Sequence, residues 1–161
     1  MITDSLIGKK AEDKIKQWLD QPDKGWSIDR IYDQMNGKKG SKNICDFHFY
    51  DGKALYYIES KATFEDRFDF SMLTETQHDG LLKKSMINSN SIYGVVVVLF
   101  VSYKRAFIIN IKEIKSLEDS GKHSLNIKKI NKWPIKYQEI ETIPSKKELL
   151  DYSGEIMEEL L

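Results

Sequence analysis

The chain has 161 residues, 25 of them Lys or Arg and 25 Asp or Glu, and 40% of it is hydrophobic. That length and apolar share suit one ordinary domain around one core. The balanced charge excludes a basic field over the whole protein, so any nucleic-acid contact has to come from a local patch. Cys45, the lone cysteine, excludes an internal disulfide and suits a reducing compartment. The longest apolar run, VVVVLFV at 95–101, is far shorter than the roughly 20 residues that span a bilayer. The first residues, MITDSLIGKK, lack the basic start and apolar stretch of a signal peptide. The expectation is a soluble, cytoplasmic protein with no membrane partner.

In chain order, DSLIGKKAEDKIKQWLD places Ile7, Ala11, Ile15, Trp18 and Leu19 on one side of an amphipathic helix. Asp4 or Ser5 is a candidate cap, and Pro22 lies just past the end. WSIDRIY at 26–32 predicts a short strand. NGKKGSKN at 36–43 is a turn-rich basic loop without an acid. ICDFHFYDGKALYYIESKA at 44–62 predicts a hairpin with Asp51-Gly52 as a two-residue turn. A helix starts near 71–74 and runs to about 88. YGVVVVLFVS reads as a strand buried on both faces. KRAFIINI at 104–111 is a second strand behind a tight turn. Residues 112–143 carry no clear period but are basic, with Lys112, Lys115, Lys122, Lys128, Lys129, Lys132 and Lys136. SKKELLDYSGEIMEELL opens with Ser145 and Glu148 in capping-box spacing and predicts a C-terminal helix. This order implies an α/β fold with a central mixed sheet flanked by helices.

A two-residue turn sets Tyr50 against Lys53, His48 against Leu55, Asp46 against Tyr57 and Ile44 against Glu59. Opposed residues share a face, as do alternate residues along a strand. Asp46, Tyr57, Glu59 and Lys61 then project from one side, with Asp46 and Glu59 as diagonal neighbours roughly 7–8 Å apart at Cβ. Two carboxylates at that separation can lean together on one Mg²⁺, which takes one or two carboxylates plus waters and substrate phosphate. Lys61 stands roughly 7 Å along the strand from Glu59, where an ammonium can orient a water or offset charge on phosphorus. Acid-x-Lys triplets are cheap by themselves. Glu12-Asp13-Lys14, Asp51-Gly52-Lys53 and Glu113-Ile114-Lys115 also occur, but none has a partner aspartate on a paired strand.

Asp46 followed by Glu59-Ser60-Lys61 resembles the signature of the PD-(D/E)xK nuclease superfamily, although Cys45 replaces the usual residue before the aspartate. More narrowly, the chain resembles Holliday junction resolvases of the RecU type, with some likeness to the Hjc type. GKKAEDKI at 8–15 is similar to that family's first-helix acidic motif, with Glu12 as its acid. FSMLTETQ at 70–77 is similar to the segment that ends in a functional glutamine, here Gln77, with Thr76 in place of a histidine. GVVVVLFVS with KRAFIINI resembles the strand pair that follows, and LLDYSGEIMEEL the terminal helix. The long basic stalk of RecU proteins is replaced here by the short DQMNGKKGSKN, which makes an Hjc-like loop the better analogy.

The resemblance implies a restriction-endonuclease-like core over 1–161 as a single nuclease domain. It implies a Mg²⁺-dependent endodeoxyribonuclease, with Mn²⁺ able to substitute, that cuts four-way DNA junctions as a homodimer. Asp46 and Glu59 would hold the metal, Glu12 and Gln77 complete the site, and Lys61 act on the water or the phosphate. Lys38, Lys39, Ser41 and Lys42 would contact the DNA backbone. A restriction or repair nuclease acting on duplex DNA, or a non-catalytic DNA-binding domain, are the alternatives. From the residues alone, Glu12 reads as an exposed helix carboxylate near Lys9 and Lys16, and Gln77 as the N3 residue of a Thr74 capping box, a place at the helix start from which it can also serve a site. His48, His78 and His123 have no metal-ligand spacing, and the tryptophans and Cys45 read as packed side chains. The stripe Leu149, Tyr152, Ile156 and Leu160 is either core or a surface for a second copy.

Overall fold

The computed structural model describes residues 3–32, 42–145 and 149–161. Helix α1 (Asp4–Leu19) is capped by Thr3, whose side chain accepts from the Leu6 N–H at 3.3 Å, so the cap lies one residue before the expected candidates. Its stripe of Ile7, Ala11, Ile15, Trp18 and Leu19 is fully buried, as the spacing requires. At about 1.5–3 kcal/mol for each large side chain removed from water, that stripe is the main reason a 16-residue helix with a largely charged outer face is stable.

The strands that follow are β1 (Ser27–Arg30), β2 (Phe47–Tyr50) and β3 (Leu55–Thr63). Then come β4 (Arg67–Asp69), α2 (Glu75–Ile87), β5 (Ile92–Phe100) and β6 (Arg105–Asn110). The segment without a clear period resolves into α3 (Ile111–Asp119), β7 (Ser124–Asn126), β8 (Gln138–Glu139) and β9 (Glu141–Ile143), and β10 (Asp151–Ser153) lies near the C-terminus. The main sheet runs β1-β2-β3-β5-β6-β8. Only the β3–β5 pair in it is parallel, so the sheet is mixed, as expected. β4 pairs with β7, and β9 with β10, in two small ladders.

The sheet divides the core in two. Val95, Val97 and Leu99 of β5 join Phe47, Phe49, Tyr56, Ile58 and the α1 stripe on one face. Val96, Val98 and Phe100 join Phe107, Ile109 and residues of α2 and α3 on the other. β5 is thus covered on both sides, the condition that its uninterrupted valine run signals. Among the described residues no helix is long and apolar enough to cross a membrane.

Two expectations need correction. The hairpin turn is not Asp51-Gly52. Tyr50 pairs with Leu55 and His48 with Tyr57, so residues 51–54 make the turn. The Asp51 carboxylate draws the chain into this wider loop by accepting from the N–H groups of Lys53 (2.9 Å) and Ala54 (2.8 Å). Within the ladder of residues 47–50 with 55–58 the change of register is even, so none of those side chains changes face.

The C-terminal helix does not form, and with it goes the likeness to the resolvases' terminal helix. The capping-box residue Glu148 lies outside the described residues. Beyond it the chain makes β10 and a short 3₁₀ turn at Glu158–Leu160. Gly154 sits between them at φ +80°, outside the helical region. Tertiary partners replace the helical bonds. Trp18 donates its indole N–H to the Gly154 carbonyl at 3.0 Å. The Gln138 side chain donates to the Glu155 carbonyl and accepts from the Met157 N–H, both at 2.7 Å. Lys14 pairs with Asp151. Leu149, Tyr152 and Ile156 enter the α1-side core while Leu160 stays exposed, so the stripe is core and not a free helix face.

Candidate active site

The site forms where β3, the approach to β2 and the N-terminus of α2 meet. Glu59 and Lys61 alternate on β3 and so project from one face, the face of α2 and α3. Glu59 pairs across the sheet with Val96 of that same face. The glutamate is 3% exposed. Its Oε1 accepts from the Gln77 side-chain amide at 3.1 Å and lies 3.6 Å from the Lys61 ammonium. Its Oε2 is buried without a hydrogen-bond partner among the described residues. Burial pushes the Glu59 carboxyl well above the usual carboxylate range; the charge of Asp46 adds to the shift and Lys61 works against it.

Asp46 stands one residue before β2, and its backbone is tied on both sides. Its N–H donates to the Ile58 carbonyl at 2.9 Å, and its carbonyl accepts from the Ile31 N–H at 2.7 Å. Ile58 is also the partner of Phe47, so the ladder steps by one residue at this point, in the manner of a bulge. Such a step would turn the side chain away from β3 were it not anchored. The Asp46 carboxylate accepts from the Ser60 N–H at 2.8 Å, which keeps it beside Glu59. The expected pairing of Asp46 with Tyr57 is therefore wrong, while the convergence of Asp46 with Glu59 holds.

Gln77 does two things at once. Its side-chain oxygen accepts from the Thr74 N–H (3.0 Å) while Thr74 accepts from the Gln77 N–H (3.2 Å), a complete capping box. Its amide nitrogen is then left to donate to Glu59. Two glycines let α2 come near enough for this. A Cβ at Gly94 would overlap the Leu81 carbonyl, and one at Gly80 would overlap the side chain of Ile44, two residues before Asp46.

Glu12 is half-buried and neither free on the surface nor part of a tight acid cluster. Arg30 of β1 holds it, and also bonds Asp13 at 3.2 Å. Burial raises the Glu12 carboxyl, the charge of Asp46 adds to the rise, and Arg30 lowers it. Glu12 thus stands within electrostatic reach of Asp46 from the opposite layer. Among the described residues no three His, Cys, Asp or Glu side chains converge as a metal-ligand group. Asp46 and Glu59 are the pair that remains. Lys42 is exposed, and Lys38, Lys39 and Ser41 lie outside the described residues.

Arg30 escaped the sequence reading. The available signal was its alternation with the buried Ile28, which places it on the α1 face where Glu12 and Asp13 pass. The remaining candidates take structural places. The Cys45 thiol is buried and pushed up to about 12, by burial first and then by Glu59 and Asp46. His78 bridges Asp79 (3.0 Å) and Glu118 (2.6 Å), linking α2 to α3. Trp18 and Trp26 are core, and Trp133 packs on Phe107 and Tyr137.

No protein-family model matches the sequence, and no curated protein matches it. Among solved structures there is a likeness to Hjc, a Holliday junction resolvase from the archaeal hyperthermophile Archaeoglobus fulgidus. It has a TM-score of 0.47 and 15% sequence identity, and covers 66% of this chain and 78% of that one. A likeness of that size assigns no activity, so the site is read from its own geometry.

Proposed function

We propose that the chain is a divalent-metal-dependent endonuclease of the PD-(D/E)xK type that cuts branched DNA, as a Holliday junction resolvase does. The observation that carries the reading is the Glu59 carboxylate: buried, beside Asp46, with one oxygen that meets no donor among the described residues. A buried pair of acids costs several kcal/mol unless a proton or a cation offsets it, and the Lys61 ammonium stands no nearer than 3.6 Å to Oε1. The donor set fits Mg²⁺, which binds through one or two carboxylates and completes its shell with water and substrate phosphate. Mn²⁺ accepts the same hard oxygens. Such a cation supplies Lewis acidity toward a phosphodiester and lowers the pKa of bound water.

The protein's own groups have definite tasks in this reading. Gln77 holds one oxygen of Glu59 and leaves the other for ligation. The Ser60 N–H fixes Asp46 so that its carboxylate does not swing with the end of the strand. Lys61 stabilises negative charge gathering on the phosphate or orients the attacking water. Glu12, steadied by Arg30, adds an outer acid able to order water near Asp46. Lys38, Lys39, Ser41 and Lys42 would seat the DNA backbone over the site. Action on junctions and a homodimer follow from the sequence resemblance, since symmetric cutting of a four-way junction needs two sites. The C-terminal stripe is spent on the core, so a dimer needs another surface.

The test is incubation with a synthetic four-way junction and with matched linear duplex, with and without Mg²⁺, for the parent protein and Asp46→Asn. Metal-dependent cutting of the junction alone, abolished in the variant, is expected. Equal cutting of both substrates makes the chain a duplex nuclease instead. Junction binding without cutting in either protein makes it a binding module.

A further inference from the structure

The face of the sheet that carries Glu59 and Lys61 continues along β3 to Tyr57, about 7 Å from Glu59 by strand geometry, and across to His48, which pairs with Tyr57. His48 packs edge-on against the Tyr57 ring at 4.7 Å. Toward β1 this face opens: His48 is half-buried, and Tyr50, Asp29 and Ser27 are exposed. At its border with α2 stands Lys84, half-buried, with its ammonium 5.3 Å from the centroid of the Tyr57 ring.

Several lysines of the fold are held in ion pairs, and Lys84 is not one of them. Lys14 pairs with Asp151, Lys61 with Glu59, Lys115 with Asp119 and Lys128 with Asp66. Lys84 has no carboxylate partner among the described residues. A ring face contributes about 0.5–1 kcal/mol to an exposed ammonium and leaves its charge unneutralised. That charge is felt nearby: burial lowers the His48 pKa, the exposed Asp29 works against the shift, and Lys84 adds to it. A polyanion that brings one phosphate to Asp46 and Glu59 is repelled by both acids, and a cation one pleat away offsets that repulsion for a neighbouring phosphate.

We infer that Lys84 is a backbone-phosphate contact for the DNA strand that enters the site, with Tyr57 as the platform that holds its ammonium in place. The inference rests on the nuclease reading and adds to it a direction, from Glu59 along β3 toward the open corner between β2 and α2. Because the contact is to phosphate, it tightens binding to any sequence equally.

The experiment is a DNA-binding titration in EDTA, which prevents cutting, over a range of salt concentrations, with the parent protein, Lys84→Gln, Lys84→Arg and the ion-paired control Lys115→Gln. The parent's affinity falls with salt. Lys84→Gln should bind roughly tenfold more weakly at low salt, and its slope of log K against log salt should be smaller by about 0.7–0.9, the share of one phosphate. Lys84→Arg and Lys115→Gln should keep the parent slope. A purely structural Lys84 would move the melting temperature and leave the slope alone. If Lys84→Gln keeps the parent slope while the parent binds and cuts DNA, the inference falls and the nuclease reading stands. If the parent binds no DNA at any salt, both fall.

Discussion

Glu59→Gln separates the part of the site that opposes folding from the part that serves chemistry. Glutamine keeps the shape of the side chain and an oxygen able to accept from the Gln77 amide, now at 3.1 Å. It removes a buried acid whose second oxygen meets no donor among the described residues and whose neighbour is Asp46. The lost contact to Lys61 is long at 3.6 Å and worth less than about 1 kcal/mol. Holding an acid there, by burying its charge or by keeping its proton on above the ordinary pKa, costs about 1–3 kcal/mol or more.

The metal-free variant should therefore be more stable than the parent by about 1–3 kcal/mol at pH 8, or roughly 2–4 °C in Tm for each kcal/mol in a chain of this size. The sign follows from linkage. Folding raises the Glu59 pKa from its ordinary value of 4.5, so the folded state binds the proton more tightly. Stability then falls as pH rises from that ordinary value toward the folded one. The gain in Glu59→Gln should vanish near pH 4 and grow above it. Excess Mg²⁺ should raise the Tm of the parent by mass action and leave the variant unmoved. Calorimetry in EDTA and in Mg²⁺ at several pH values reads all of this. A variant that melts below the parent at pH 8 in EDTA would mean that the carboxylate is favourably held without a cation, and the reasoning from its orphaned oxygen would be refuted.

Gly94→Ala should lower the denaturation free energy by about 1–3 kcal/mol, because the new methyl meets the Leu81 backbone. It should also weaken any cleavage activity more than it weakens DNA binding, since α2 carries Gln77 away from Glu59. His78 has a raised pKa despite the lowering effect of burial, because Asp79 and Glu118 hold its protonated form. That support is complete below the ordinary value of 6.5 and fades as pH rises through the folded value, so the parent's stability advantage over His78→Gln in urea titrations should shrink from pH 6 to pH 9. An advantage that is constant with pH would dismiss the His78 clasp as a charged link.

Where local pattern and burial agree, the sequence alone was enough. The 3.6-residue period of α1, the unbroken valines of β5 and the Thr74–Gln77 capping box all specify structure within one stretch of chain. Asp46, Glu59 and Lys61 were also legible, although the turn was misplaced. A strand has a period of two, and over residues 47–50 and 55–58 the register differed from the expected one by an even step, which leaves those side chains on their faces; Asp46, where the ladder steps by one, stays beside Glu59 through the Ser60 N–H.

What lay outside the sequence's reach was whatever depends on a distant partner. The Ser60 N–H that holds Asp46 after the ladder steps, the Arg30 that holds Glu12, and the close approach of α2 that gives Gln77 its second bond are all contacts between separate elements. The C-terminal segment shows the same limit. Its helical stripe was real in spacing, but Trp18, Gln138 and Lys14 offered its backbone and side chains better partners than a helix of its own. Local propensities amount to tenths of a kcal/mol per residue, while burial of Tyr152 and Ile156 amounts to whole ones, so tertiary packing decided the conformation there.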